Sequence, residues 1–412
     1  MRLYLSFIAI AFIILLIDTY FYLGLRTLFW NSVKRKMIRG LYTLHWLISL
    51  VFLSGMVVIF YKRPDYQDVG YFQQIFWFLS VMLSIYLPKL MFLSFRFFDD
   101  LNHWSRKLLF SERYQLNFNR RKLFTQIALL LALIPMLSSF YGVFIGKFQF
   151  KVYEETIRFE NLPKEFDGLR IVQLSDFHIS AFYRNEDKLE EVVNMVQELK
   201  PDLIVFTGDM VNNTAAEFEP FVDYLKGLSA PLGKFSILGN HDYGDYMQWE
   251  NDSVKQADVA QLIAMEIEAG FQVLLNESYP LVIQTDTIYL LGLENWGKPP
   301  FPQYGNLELT MRRVPENSFE VLLSHDPSHW DAEVLGNTAI ELTLSGHTHG
   351  MQVGIENDWF KWSPVKYKYP RWAGLYQEAS QYLYVNRGIG FIAYSGRVGI
   401  LPEITLLTLH RK

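Results

Sequence analysis

Ser345-Gly346-His347-Thr348-His349-Gly350 follows directly on the apolar run Ile340-Glu341-Leu342-Thr343-Leu344. In an extended segment, side chains two apart point the same way. Flanking glycines let the backbone turn sharply and let a neighbour approach. Two imidazoles at a strand end suggest a metal, because imidazole is the commonest nitrogen ligand for Zn, Fe and Mn-type ions. Two surface histidines in a loop would look the same, so the reading depends on partners elsewhere in the chain.

Four other runs share this grammar: a short apolar strand that stops abruptly in polar ligand-type residues. Leu169–Leu174 ends in Ser175-Asp176-Phe177-His178, and Leu203–Phe206 in Thr207-Gly208-Asp209. Phe235–Leu238 ends in Gly239-Asn240-His241-Asp242, and Phe319–Leu323 in Ser324-His325-Asp326. Such punctuated runs are strands. Asn185–Leu199, Glu217–Leu228 and Val254–Ala269 carry helical apolar stripes between them. Strands alternating with helices imply an α/β domain, and in such sheets ligands bind beyond the carboxyl ends of the strands. All five clusters fall at such ends. Singly, Gly208-Asp209 is an ordinary turn and Gly239-Asn240 a hairpin signal; together they make a site.

The set is Asp176, His178, Asp209, Asn240, His325, His347 and His349. Carboxylates, imidazoles and one amide oxygen suit Mn, Fe or Zn better than Ca²⁺, which prefers oxygen throughout. Seven groups exceed what one four-coordinate ion with an open position needs. They suffice for two ions sharing a carboxylate, and such ions, about 3.5–4 Å apart, clamp an in-line displacement at phosphorus.

The series Asp-x-His, Gly-Asp, Gly-Asn-His-Asp, His and Gly-His-x-His resembles the calcineurin-like metallophosphoesterase superfamily, over roughly residues 150–410 with every block in order. Tyr384–Gly390 and Pro402–Leu407 look like its bacterial membrane-associated branch, which includes enzymes acting on lipid-related phosphoesters. The resemblance implies a β-sandwich flanked by helices and two divalent metal ions (Mn, Fe or Zn). By motif position, Asp176, His178, Asp209 and His349 would bind the first ion. Asp209, Asn240, His325 and His347 would bind the second, with Asp209 bridging, and a metal-bridging hydroxide would attack phosphorus. His241 would face the leaving group as general acid, with Asp242 orienting and polarising it. His329 and His410 fall outside the pattern as surface or structural residues. Asp326 is either an outer partner of a ligand or a solvated loop carboxylate.

The chain of 412 residues is half hydrophobic, yet its mean hydropathy is only +0.07, which indicates a membrane part joined to a soluble one. Residues 1–150 hold 17 Lys and Arg against 6 Asp and Glu; residues 151–412 hold 21 against 37. The acidic second half speaks against a nucleic-acid partner, which calls for a basic patch. There is no cysteine, which excludes disulfides, thiolate metal sites and cysteine nucleophiles.

Four stretches are long enough to span a bilayer, near residues 3–25, 41–61, 71–95 and 123–145. The first is read as a retained anchor, because its apolar run is too long for a signal peptide and no small-residue cleavage site follows. The boundary is set at 1–148 for the transmembrane region and 149–412 for the metallophosphoesterase domain. Arg26, Lys34, Arg35, Lys36 and Arg39 in the first loop, and the seven basic residues between Arg96 and Lys122, place those loops in the cytoplasm. The second loop offsets Lys62 and Arg63 with Asp65 and Asp68. This order expects a multi-pass protein of the bacterial inner membrane with its catalytic domain extracytoplasmic. Asp18 and Lys89, within spans, either pair or reach the interface singly. His45 reads as a packed histidine. Arg96–Lys122 is either an interfacial helix or an ordinary loop.

Trp359, Phe360, Lys361, Trp362, Lys366, Tyr367, Lys368, Tyr369, Arg371 and Trp372 form an aromatic and basic run just after the last ligands. Such residues favour the membrane–water interface, so the run either lines the mouth of the site facing the bilayer or packs on the domain. The expected function is a membrane-anchored dinuclear-metal phosphoesterase cleaving phosphoester or diphosphate bonds, with the lipid bilayer as partner and a phospholipid or lipid diphosphate as substrate. The alternatives are a hydrolase of soluble nucleotides or phosphoproteins, and a non-catalytic metal-binding membrane scaffold.

Overall fold

A computed structural model describes residues 2–29, 35–62, 69–110, 118–299 and 301–412. Lys34, Arg63, Asp65, Asp68 and Arg113, which enter the loop readings, lie outside these residues. The chain divides into two compact units, one of Met1–Asp65 and Gln74–Val143, which holds nearly all of the four N-terminal helices, and the other of Tyr66–Gln73 and Phe144–Lys412.

The helices are α1 (Arg2–Phe29), α2 (Arg35–Lys62), α3 (Val69–Phe110) and α4 (Phe118–Phe144). Each is long and apolar enough to cross a membrane. The unit is apolar outside and buries polar side chains among apolar ones inside. Ile8, Phe12, Leu130 and Leu137 are exposed, while Asp18, His45, Ser49, Ser84 and Lys89 are buried. That is the arrangement expected where hydrocarbon is the solvent. Asp18 and Lys89 do pair, Nζ to Oδ1 at 2.5 Å, and the Tyr86 hydroxyl donates to the other carboxylate oxygen at 2.8 Å. His45 lies 3.1 Å from the Asp18 carbonyl oxygen, so it is a packed histidine. Arg96–Phe110 is neither a separate interfacial helix nor a loop. It continues α3, which has 42 residues and so a length of about 60 Å, roughly twice the hydrocarbon thickness. No breaker interrupts the helical pattern there, and Arg96 pairs with Asp100 one turn on.

The second unit is a sandwich of two mixed six-stranded sheets. Its strands are β1 (Lys151–Phe159), β2 (Leu169–Leu174), β3 (Leu203–Phe206), β4 (Lys234–Ser236), β5 (Gln272–Val273), β6 (Glu277–Ile283), β7 (Asp286–Gly292) and β8 (Phe319–Leu323). They continue with β9 (Leu342–Ser345), β10 (Ile355–Asn357), β11 (Phe360–Trp362), β12 (Gly374–Glu378), β13 (Gln381–Val385) and β14 (Glu403–Arg411). One sheet runs β1-β14-β2-β3-β4-β5 and the other β12-β13-β9-β8-β7-β6, with β10 and β11 a separate hairpin. Ile171, Val205 and Phe235 of the first sheet interleave with Leu290, Val321 and Leu344 of the second. The alternate residues Val172, Ile204 and Phe206 face outward onto Leu189, Val192 and Val196 of α5 (Glu186–Glu198). This period-two division is why these strands read as continuous apolar runs: both of their faces are buried.

The expected helix at Glu217–Leu228 appears as a 3₁₀ turn (Glu219–Phe221) running into one α turn, α6 (Val222–Leu225). Pro220 lacks the N–H a helix needs there, and Glu217 is taken up accepting from the amides of Asn212, Asn213 and Thr214. The remaining helices are α7 (Asp252–Glu268) and α8 (Leu307–Met311). β2, β3 and β4 are parallel neighbours in one sheet, and β8 and β9 in the other. Their carboxyl ends open on one edge of the sandwich.

Candidate metal centre

Five of the seven expected ligands have left-handed backbones: Asp176 (φ 51), His178 (φ 41), Asp209 (φ 62), His347 (φ 71) and His349 (φ 49). This conformation costs an L-residue about 1–2 kcal/mol. Here it turns the chain back at each strand end, so that short polar side chains converge. Strain of this kind concentrates where a site needs it. Glycines permit the approach. A Cβ on Gly346 would lie 1.9 Å from Ser175 Oγ, and one on Gly208 2.4 Å from the Gly239 nitrogen.

Six of the seven expected ligands fall into two groups. Asp176, His178 and His349 form one, and Asp209, His325 and His347 the other; within each, the atoms lie within 4.8 Å of one another. In the first group, His178 Nε2 and His349 Nε2 are 3.0 Å apart and His349 Nε2 is 3.2 Å from Asp176 Oδ1. In the second, Asn240 Oδ1 lies 3.1 Å from His325 Nε2 and 2.7 Å from His347 Nδ1. Asp209 Oδ2 stands between the groups, 3.7 Å from His178 Nε2 and 3.2 Å from His325 Nε2. The ligands are buried or nearly so.

The neighbours fix these atoms. His325 Nδ1 sits 2.7 Å from the Thr207 carbonyl, which takes its N–H and turns Nε2 toward Asp209. Ser175 Oγ donates to Asp176 Oδ2 at 2.5 Å, and the His347 amide reaches both Asp176 oxygens at 3.0 Å. Burial would raise the Asp176 carboxyl, but His349 and His325 hold it well below the usual carboxylate range. At His325 burial disfavours the charged ring, yet Asp209 and Asp176 carry it up to about 10. Burial and the His349 ring push His178 well down. One imidazole thus stands as counter-charge to two buried carboxylates, and His178 Nε2 and His349 Nε2 face each other at 3.0 Å. The donor set fits divalent cations, whose charge would replace that proton.

Asp242 does not act as expected. Its Oδ2 accepts from the amides of Asp209 and Gly239 at 2.8 Å each, and its Oδ1 from that of Val211 at 3.1 Å. It clamps the backbone beneath the ligands. The His241 ring is oriented instead by the Asn212 carbonyl, 2.7 Å from Nδ1. The reason is geometric: Asp242 follows His241 directly, and the turn buries it while His241 stays at the rim. Asp326 is buried, not solvated; it accepts from the Ser328 amide at 2.8 Å and lies 3.8 Å from His347 Nε2. His329 is buried against Ser324 Oγ at 3.0 Å, and His410 pairs with Asp167 at 2.9 Å; both are structural.

Other residues enter the site that the motifs did not mark. Tyr369 presents its hydroxyl 2.8 Å from His347 Nε2, so part of the aromatic run does reach the centre. Asn240 Nδ2 donates to the Tyr246 hydroxyl at 2.8 Å, and the Tyr246 ring packs 4.6 Å from that of His241. Tyr246 lies five residues past His241, in the same loop, and its position was a usable signal. Arg397 had none. Its buried guanidinium donates to the carbonyls of Arg387, Gly388 and Gly390 and holds the loop whose Gly390 amide donates to the Asp176 carbonyl at 2.9 Å.

Two sheets ending in one edge of carboxylates and imidazoles make a metal-binding site, and residues 169–351 match the model of the calcineurin-like phosphoesterases. The chain belongs to that family and is a metal-dependent phosphoester hydrolase. Residues 1–147 match a second model, described as a probable calcineurin-like phosphoesterase transmembrane domain, so the chain is a membrane protein. Among its relatives is the metallophosphoesterase YkuE of Bacillus subtilis, 34% identical over 278 residues, covering 65% of this chain and 88% of that protein. The UDP-2,3-diacylglucosamine pyrophosphatase LpxG of Chlamydia trachomatis is 31% identical, covering 56% and 81%. The phosphodiesterase YaeI of Escherichia coli is 29% identical, covering 58% and 82%.

Proposed function

We propose that residues 149–412 form a dinuclear phosphoesterase acting on a lipid-linked phosphoester or diphosphate, held at the membrane by residues 1–148. The observation that carries the dinuclear reading is Asp209 Oδ2, placed between His178 of one ligand group and His325 of the other. Asp176, His178, Asp209 and His349 would hold one divalent cation, and Asp209, Asn240, His325 and His347 the second. Bound there, the two cations supply an acidified water and a positive clamp for phosphoryl oxygens. His241 stands at the rim, its ring 5.0 Å from that of His178. With Nδ1–H held by the Asn212 carbonyl, Nε2 is the nitrogen left to protonate a leaving oxygen. Tyr246 packs beside His241 and restricts its ring.

The lipid reading draws support from the LpxG relative, whose name specifies a diacylated sugar-nucleotide substrate, and from the membrane region. Basic residues around the first and third connections between spans support a catalytic domain outside the cytoplasm. The test is metal analysis of the purified protein, followed by Mn²⁺-dependent hydrolysis of an aryl phosphodiester by wild type, Asp209→Ala and His241→Ala, then of membrane lipid phosphoesters. We expect two metal equivalents, lost in part in Asp209→Ala, and faster turnover by the wild type. A wild type no faster than either variant would overturn the hydrolytic assignment. Water-soluble diesters cleaved far better than every lipid would overturn the substrate. A C-terminal reporter active only in the cytoplasm would reverse the orientation.

A further inference from the structure

The hairpin β10–β11 is inverted for a surface hairpin in water. Cross-strand partners share a face. Ile355 pairs with Trp362 and Asn357 with Phe360, while Glu356 pairs with Lys361. The charged pair is tied to the rest of the domain, with Glu356 partly buried and Lys361 exposed. Glu356 Oε2 is 2.9 Å from Arg387 Nε, Arg387 reaches the buried Glu403 at 2.5 Å, and Lys361 Nζ donates to the Ala373 carbonyl. The apolar face turns out, with Ile355 at 52% and Phe360 at 53% exposure. Asn357 Oδ1 accepts from the amides of Trp359 and Phe360 at 3.0 and 2.9 Å, a turn that thrusts Trp359 outward at 94% exposure. Met351, Val353 and Tyr367 extend the patch. From Lys151 onward, 6 of the 11 large apolar side chains exposed among the described residues fall between 351 and 367, so the patch is concentrated rather than scattered.

We infer that this hairpin docks on an anionic lipid bilayer and holds the metal centre at the interface. The bilayer is the occupant the chain itself supplies, since residues 145–150 alone separate the last span from β1. Exposed Lys366 and Lys368 flank Tyr367 and match an anionic headgroup layer. Trp and Tyr are the side chains that settle at headgroup depth. The hairpin is also stiffly tied to the chemistry. The Arg387 that grips Glu356 precedes Gly388, where a Cβ would lie 3.1 Å from His349 Nδ1. The inference deepens the lipid-substrate reading and rests on it for why an interface should adjoin the site.

The absence of cysteine makes the test direct. Trp359→Cys and, separately, Phe360→Cys carry an environment-sensitive fluorophore in the full chain, reconstituted in nanodiscs of phosphatidylglycerol with phosphatidylcholine. Glu190→Cys on α5 is the reference position. We expect spin-labelled lipid to quench the two hairpin labels at least about twofold more than the reference, and less in phosphatidylcholine alone. Quenching no greater than at Glu190→Cys for both labels overturns the docking. Shielding that spin-labelled lipid does not quench and that dilution abolishes also overturns it, in favour of a second copy of this chain. Hydrolysis of lipid phosphoesters is scored separately. Quenching without lipid hydrolysis keeps the docking and removes the lipid substrate, while hydrolysis with unquenched labels does the reverse.

Discussion

Replacing Asp242 separates two roles that one carboxylate beside a catalytic histidine can have. Its three accepted bonds come from the amides of Asp209, Gly239 and Val211, all close to the ligands. Asp242 is itself 1% exposed, so water cannot replace it freely. A buried amide left unpaired costs about 1–3 kcal/mol. Asp242→Ala orphans three, or about 3–6 kcal/mol after some relaxation, a large part of the roughly 5–15 kcal/mol that holds a domain together. Asp242→Asn keeps one carbonyl oxygen for the Asp209 and Gly239 amides but turns an NH₂ toward Val211. It should cost about 2 kcal/mol and lower Tm by about 4–8 °C. Because Asp209 carries one of the clamped amides, metal affinity should fall with stability. The assays are thermal unfolding with and without Mn²⁺, metal titration, and turnover at saturating metal. If Asp242→Asn loses turnover while Tm and metal affinity stay at wild-type values, the carboxylate works through His241 and the clamp argument fails.

Further outcomes follow from the same geometry. His241→Ala should keep its bound metal yet lose about 10²–10⁴-fold in kcat, with a smaller loss on esters of acidic phenols; equal losses on all leaving groups would exclude an acid role. Gly346→Ala drives a methyl against Ser175 Oγ and Asp176 Oδ2, so metal analysis should show less than the wild-type content; full occupancy would contradict it. In the membrane unit, Lys89→Met leaves buried Asp18 uncompensated and should cost about 3–5 kcal/mol in denaturant titration, with recovery in Asp18→Leu/Lys89→Met; no recovery would mean the pair is not the unit of stability. Glu320, buried and next to Glu341, is pushed up to about 7 from 4.5, and its Oε2 has no hydrogen-bond partner. Folding therefore favours its protonated form, and the stability this contributes is full below pH 4.5 and lost as pH rises through 7. Glu320→Gln should flatten the Tm-against-pH curve over that window; a curve parallel to wild type would refute it.

The sequence by itself determined the candidate ligand types, their order, their places at strand ends and the four apolar spans, because each depends on a short window of chain. Asp176, His178, Asp209, Asn240, His325, His347 and His349 all stand where those windows put them, and the helical stripe of α5 and the apolar runs of β2, β3 and β8 were legible for the same reason. β1, β6, β7 and β12–β14 were not placed from sequence. Polar residues such as Lys151, Glu154 and Glu155 break the apolar pattern of β1, and its pairing partner β14 lies some 250 residues on. The helix at 217–228 failed on Pro220 and on where Glu217 spends its carboxylate. Only the tertiary structure decided what the ligands share. The two sheets pack face to face with their ligand-bearing strand ends on one side, and Asp209 from one comes to lie between His178 of its own sheet and His325 of the other. It also decided that Asp242 serves backbone amides rather than His241, and that Glu356 faces Arg387 while Trp359 faces out. Those outcomes depend on which distant groups a fold brings within 3 Å, and local chemistry carries no record of that.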